Sequence, residues 1–394
     1  MLVALADTDV GNIVTAAQSG AQWGYRMLLL VLALIPLLYL VQELTVRLGI
    51  FTGQGLTELV RNRYGRFWAW VAVAALAVAT LGSLITEFTG VAAVGDLYGV
   101  SRSVSLPMAA IALFAVVLSG SYRRMERIAL ILGLFELAFF VVAWMAHPRL
   151  ATVALQAREF PIADRDFMFL ASALIGSVFN PWMIFYQQSA VADKGLTPAH
   201  YRAERWDTGI GAVLAQLVTA AVLVALAATV DGKDLQHSIQ SIGDVSEALI
   251  PLFGSSGAHL IFSIGVMGAA MVAAIVSSLA LSWAISEASG YQRKQHSPGS
   301  ESPWFYVGYA VCVSAGALFV GWQDNLIWLD VVTQVVNTFM LPLLIAVLII
   351  LVQTAVPEPY RLRGCYLWLL ILCSVGVCAL GIFGGLGPWL AGSS

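Results

Sequence analysis

The run Asp7-Thr8-Asp9-Val10-Gly11-Asn12 places two carboxylates, a threonine, a glycine and an asparagine inside an apolar stretch. Lipid accepts neither charge nor loosened backbone, so such a run has to face a cavity or a ligand. A second run, Ser177-Val178-Phe179-Asn180-Pro181-Trp182, interrupts another apolar stretch. Pro181 has no amide hydrogen to donate and clashes with a continuing helix. A helix broken inside a bilayer exposes unpaired carbonyls on one half and unpaired amides on the other, which can bind an ion before any side chain contributes. Asp9 adds a negative charge, Asn12 and Asn180 add amide oxygens, and backbone carbonyls near Asp7 and Ser177 complete a set of hard donors. Oxygen donors of this kind suit Mg²⁺, Ca²⁺ or Mn²⁺.

Other residues border this chemistry. Asp7 is two positions from Asp9, so on a helix the two side chains point apart, and Asp7 reads as a permeation-path or outer-layer acid, or as an acid of the cytoplasmic vestibule. Glu87, with Thr86 and Thr89 beside it, sits at membrane depth, where a carboxylate is either a proton carrier or a neutral hydrogen-bonding group. Glu136 has the same two readings, weighted toward structure because nothing polar flanks it. Gln334 and Asn337 are three apart and share a helix face; they complete the site or act as interhelical glue. Glu43, Arg47 and Glu58 fall near the membrane surface as interface or gate residues, and the five histidines map to loops or helix ends. No HExxH, GxSxG, P-loop or Ser/His/Asp grouping appears, so no enzyme activity and no cofactor is expected.

Positioning these residues takes a membrane protein. The chain has 394 residues, 59% of them hydrophobic and 11% charged, with a mean hydropathy of +0.84. Eleven apolar runs can be drawn, roughly 1–19, 25–47, 67–98, 104–120, 126–146, 167–190, 208–230, 254–287, 304–322, 327–353 and 365–389. They lack the alternation of barrel strands, so the fold class is all-α. With a cytoplasmic N-terminus the outside loops hold Arg26, Arg102, Arg149, Arg158, Arg165 and Lys233, leaving 14 of the 20 basic residues inside. That division predicts N-terminus in and C-terminus out. Spans one and six, both broken, then run in opposite directions, as in two inverted five-helix repeats. The expected organisation is a single transport domain over 1–394, with repeat one at 1–146, repeat two at 167–353 and an extra helix at 365–389. Thr57 to Arg63 reads as a short surface helix, and Gln292 to Pro303 as a polar, mobile loop. The net charge of −3 and the absence of basic tracts argue against nucleic acid, and the four cysteines show no metal or disulfide spacing. No basic segment precedes Leu2, so the first helix is expected to be retained.

Asp9-Val10-Gly11-Asn12, followed by Gly20-Ala21-Gln22-Trp23-Gly24-Tyr25, resembles the first-helix motif of the Nramp metal transporters, Asp-Pro-Gly-Asn and then Gly-Ala-Gln-aromatic-Gly-Tyr. Further likeness lies in Arg47 to Gly53, Glu87 to Gly90, Ile175-Gly176, Thr333 to Val336 and Leu341-Pro342, and it covers nearly the whole chain. The resemblance implies a LeuT-type inverted-repeat fold, a bacterial inner membrane, and transport of divalent metals, usually Mn²⁺ or Fe²⁺ with protons. Departures point to the family's magnesium-transporting branch. Asn180-Pro181-Trp182 stands where the family has Met-Pro-His, which removes a soft thioether and an imidazole. Leu84 replaces an acid three residues before Glu87, and Val10 replaces the first proline, leaving Gly11 to loosen the helix. The expected function is transport of Mg²⁺ first and Mn²⁺ next, with weak or absent proton coupling. The candidate metal residues are Asp9, Asn12, Asn180, Ser177 and Gln334, with Asp7, Glu87, Asn337 and Trp182 around them. The alternatives are a proton-coupled Mn²⁺/Fe²⁺ symporter and a metal sensor or scaffold that does not transport. The partners expected are the lipid bilayer and the cations, with no obligatory protein. Only eight residues precede Asp9, about 12 Å of helix where half a membrane needs about 15 Å, so a start upstream of Met1 is expected.

Overall fold

Backbone amides and carbonyls inside a bilayer must pair within the chain, and the structure, a computed structural model, meets this with helices alone among the described residues. Those residues are 2–118, 122–230, 242–290, 303–322 and 326–391. The first span is α1 (Leu2–Asp7) and α2 (Val10–Trp23), separated by Thr8 and Asp9. Next comes α3 (Leu28–Thr52), which stops where Gly53 takes a left-handed φ of 63°, and then the short α4 (Leu56–Tyr64), where a surface helix was expected. The third and fourth spans are α5 (Arg66–Leu97) and α6 (Arg102–Leu118). The fifth is composite: α7 (Tyr122–Gly133), a tight turn of helix at Leu134–Leu137, and α8 (Ala138–Met145).

A loop carrying α9 (Leu150–Gln156) leads to the second broken span, α10 (Arg165–Val178) and α11 (Pro181–Asp193). Then follow α12 (Tyr201–Val230), the short α13 (Ile242–Ala248), α14 (Ile250–Ser289, kinked at Gly254), α15 (Pro303–Trp322), α16 (Leu326–Ala355) and α17 (Gly364–Ala391). Among the described residues nine helical spans are long and apolar enough to cross a membrane. The shorter α6 and the broken α1–α2 pair bring the total to the eleven expected. Residues 292–302, read as a mobile loop, lie outside the described residues.

Glycines let the helices around the site meet backbone to backbone. A Cβ at Gly20 of α2 would collide with the Leu223 carbonyl of α12, and one at Gly176 of α10 with the Gln334 carbonyl of α16. Gly384 of α17 abuts the Met168 carbonyl of α10 in the same way, and Gly381 abuts Thr338. Small residues at such crossings gain packing that lipid cannot supply. Neither partner can yield at a backbone contact. Gly20→Ala is therefore expected to destabilise the protein by about 1–3 kcal/mol, read as a lower unfolding midpoint in detergent.

Candidate functional site

The first break is built by its own residues. Asp9 is extended (φ −67°, ψ 173°) and caps α2, its Oδ1 accepting from the Asn12 amide at 2.8 Å. The Val10 amide donates to Glu87 Oε2 of α5 at 3.3 Å, so a second orphan donor of the helix end is satisfied from a neighbouring span. The Thr8 hydroxyl bonds the Leu5 carbonyl at 3.2 Å and the Glu136 carboxylate. Gly11 does not loosen the chain as expected. It is helical, and its missing side chain is what admits the Gln334 amide group, which would overlap a Cβ.

The second break is narrower than the sequence suggested. Only Phe179 and Asn180 leave the helix, and Pro181 opens α11 at the one place where a missing amide hydrogen costs nothing. Asn180 Nδ2 donates to Asp9 Oδ2 and to the Ser177 carbonyl, both at 3.0 Å. Asn12 Nδ2 donates to Ser177 Oγ at 3.3 Å, while Asn12 Oδ1 accepts from the Thr219 hydroxyl of α12 at 2.7 Å. Asn337 Nδ2 donates to Asn180 Oδ1 at 2.9 Å and to Gln334 Oε1 at 3.1 Å. Asp9, Asn12, Ser177, Asn180 and Gln334 thus share one network, all at most 1% exposed, and Asn337 closes it.

The remaining expected residues lie around it. Asp7 ends α1 with neither oxygen bonded, Glu87 Oε1 has no partner, and Trp182 is fully buried in the first turn of α11 with its indole N–H unbonded. Glu136, weighted toward a structural role, reaches Thr8 inside the break. Its own flanks are apolar, so only the fold reveals the contact. Asp330 went unnoticed in the sequence because it sits near the drawn end of span ten. It is fully buried, with the Thr86 hydroxyl of α5 beside its carboxyl group. Its spacing of four from Gln334 was the available signal. Asp7, Asp9, Glu87, Glu136 and Asp330 have no ion-pair partner among the described residues, and no three His, Cys, Asp or Glu side chains there are placed to share a metal. Asp9 accordingly works with amides, hydroxyls and carbonyls.

Access differs on the two sides. Beyond the C-terminal end of α2, Trp23 and Phe160 pack edge-on against Phe167 at 5.1 and 4.8 Å, and Arg26 pairs with Glu159 at 2.8 Å. On the α1 side a vestibule of about 300 Å³ is lined by Val3, Gln42, Tyr186, Gln187 and Thr208 and stops short of Asp9.

A family model described as natural resistance-associated macrophage protein-like (Nramp) matches residues 1–385. A protein of Pectobacterium carotovorum named divalent metal cation transporter MntH is 30% identical over 292 residues, 71% of this chain and 69% of that one. One of the same name from Yersinia pestis is 28% identical over 291 residues, again 71% and 69%. A crystal structure of an Eremococcus coleocola manganese transporter superposes with a TM-score of 0.81 at 17% identity, covering 98% of this chain and 84% of that one. Mhp1, a nucleobase-cation-symport-1 transporter, superposes at 0.58 with 14% identity, covering 99% and 90%. Both superpositions speak to the fold, which is the LeuT-type arrangement expected.

Glu87 holds the opened helix end by its acceptor rather than its charge. Glu87→Ala strips the Val10 amide of its partner and is expected to destabilise by about 1–3 kcal/mol, whereas Glu87→Gln retains an acceptor and loses less, both read by thermal unfolding.

Proposed function

The chain belongs to the Nramp family, and from that premise we propose that it carries hard divalent cations, Mg²⁺ first and Mn²⁺ next, across a membrane by alternating access. Divalent metal transport comes with the family and an enzymatic role does not. The finer choice of ion rests on one observation: the buried Asp9 carboxylate is surrounded by oxygen-bearing amides, a hydroxyl and a carbonyl, with no thioether or imidazole bonded to it. Mg²⁺ sheds water reluctantly and is usually held by one or two carboxylates with waters retained. Asp9 would supply the charge, Asn12 and Asn180 amide oxygens, and Ser177 its carbonyl, with Gln334 joining in the closed state.

The hydrogen-bond pattern supports a specific way of admitting the ion. Asn180 turns its Nδ2 toward Asp9, and Asn337 Oδ1 has no partner. Half-turns of both amides would direct Asn180 Oδ1 to the cation and let Asn180 Nδ2 donate to Asn337 Oδ1. Gln334 Oε1, which now accepts from Asn337, would be released toward the ion. The cation then replaces an amide hydrogen as the counter-charge of Asp9. Residues 1–146 and 167–353 serve as the two repeats, the N-terminus faces the cytoplasm, and the membrane is the bacterial inner membrane in this reading.

Proton-coupled Mn²⁺/Fe²⁺ transport is the second reading. Glu87, a buried carboxylate beside the break, keeps one oxygen without a hydrogen-bond partner, and Asp330 is a second buried acid. Proteoliposomes with an internal pH dye separate the two. Mg²⁺ entry with a flat internal pH is expected, and acidification that tracks metal entry would favour the second. Asp9→Ala is expected to abolish Mg²⁺ and Mn²⁺ flux, and unchanged flux would refute the site. Asn180→Met should raise the Mn²⁺ to Mg²⁺ flux ratio by about tenfold or more, since a thioether favours the softer ion.

A further inference from the structure

On the outer surface of the bundle, α3 and α12 enclose a groove of about 860 Å³, within the range of roughly 300–1,000 Å³ that small ligands occupy. The two helices pack against each other, and at one end of the groove the Tyr39 ring comes to 3.6 Å of the position a Cβ would take on Gly209. From there the walls are apolar. Ile210 and Leu217 of α12 are 57% and 41% exposed, and Pro36 of α3 is exposed opposite them. At the other end stand Arg202, Arg205 and Trp206, the last 67% exposed.

We propose that this groove is a binding site for an anionic phospholipid, with its phosphate at Arg202 and Arg205 and one acyl chain along Ile210 to Leu217. Length fits. Trp206 to Leu217 spans about 16 Å at 1.5 Å per residue, close to the roughly 15 Å of hydrocarbon in one leaflet. Trp206 and Tyr39 line the groove beside the two arginines, and amphipathic rings favour the edge of the hydrocarbon, where basic pockets between spans suit lipid phosphates. Charge fits as well. Arg202 has no hydrogen-bond or ion-pair partner among the described residues. Arg205 lies 4.0 Å from Glu43, whose charge is already met by the buried Arg47 at 2.8 Å, so the end of the groove presents two guanidinium groups, Arg202 and Arg205, that the buried carboxylate does not neutralise. The acids Glu204 and Asp207 line the vestibule on another face of α12.

The site reaches the interior through Arg205. Its Nε donates to the Tyr39 hydroxyl at 3.1 Å and its guanidinium lies over the Tyr201 ring at 5.7 Å. Tyr201 and Tyr366 both donate to Glu43, the latter at 2.8 Å, and Arg47 donates to the Tyr360 carbonyl at 2.8 Å. A lipid phosphate that engages Arg205 therefore adjusts a cluster joining α3, α12 and α17 beside the vestibule.

The test uses the purified full chain in detergent with phosphatidylglycerol, phosphatidylcholine of the same acyl chains, or inorganic phosphate alone. Native mass spectrometry is expected to show phosphatidylglycerol adducts and a raised unfolding midpoint, with neither for phosphatidylcholine or phosphate. Arg202→Ala should lose about fivefold in phosphatidylglycerol affinity. Ile210→Trp, which fills the groove and keeps the arginines, should lose the adduct too. Equal binding of the two lipids by the wild-type chain would overturn the proposal, as would a phosphate effect as large as the lipid's. Adducts undiminished in both folded variants would do the same. The wild-type comparison decides alone if a variant does not fold.

Discussion

Asp9 is a carboxylate at membrane depth with no cationic side chain among the described residues to offset it, and much of the surrounding architecture follows from that one charge. Left alone in a low-dielectric interior it would be prohibitively costly. The Asn12 amide and the Asn180 side chain lower that cost without cancelling the charge. Hydrogen bonds from neutral donors are reversible, so under the proposed function the site would hold its shape and still yield to a cation that offers more. An arginine at the same place would offset the charge permanently and leave nothing for the proposed cation to neutralise.

The two breaks are held open by different means. At the first, Asp9 and Glu87 take the amides of α2, so the opening depends on side chains of two spans. At the second, Pro181 forbids continuation and Asn180 ties the loose carbonyl of Ser177. Both openings meet at α16, where Gln334 packs on Gly11 and Gly176 and Asn337 bonds Asn180. Span ten is thus the wall against which the two broken spans are registered.

Most of this was legible in the residue pattern. Charge and proline inside apolar runs cannot be accommodated by a continuous lipid-facing helix, so the positions of both breaks and the identities of Asp9, Asn12 and Asn180 follow from composition at a given depth. What the pattern does not carry is which face of a uniformly apolar helix turns inward. Glu136 has apolar neighbours on both sides, and its contact with Thr8 depends on how the fifth span packs. Asp330 lay four residues into span ten, and an acid so close to a helix start reads as interfacial until its burial is seen. Gly11 was assigned flexibility when its role is clearance. In each case the missing information is a neighbour distant in sequence.

The glycine contacts that bring α10, α16 and α17 within backbone distance have a mechanical meaning. Where a carbonyl sits on a glycine there is no layer of side chains to shear, so these three helices form a stiff post rather than a sliding seam. Deformation is then left to the pieces outside the post, chiefly the short α1 and α11, set off from α2 and α10 by two non-helical residues each. A lever of a few turns on a two-residue pivot sweeps a wide arc for a small change in backbone angle. Under the proposed function, the interruptions that would create the ion's binding place would also be its joints.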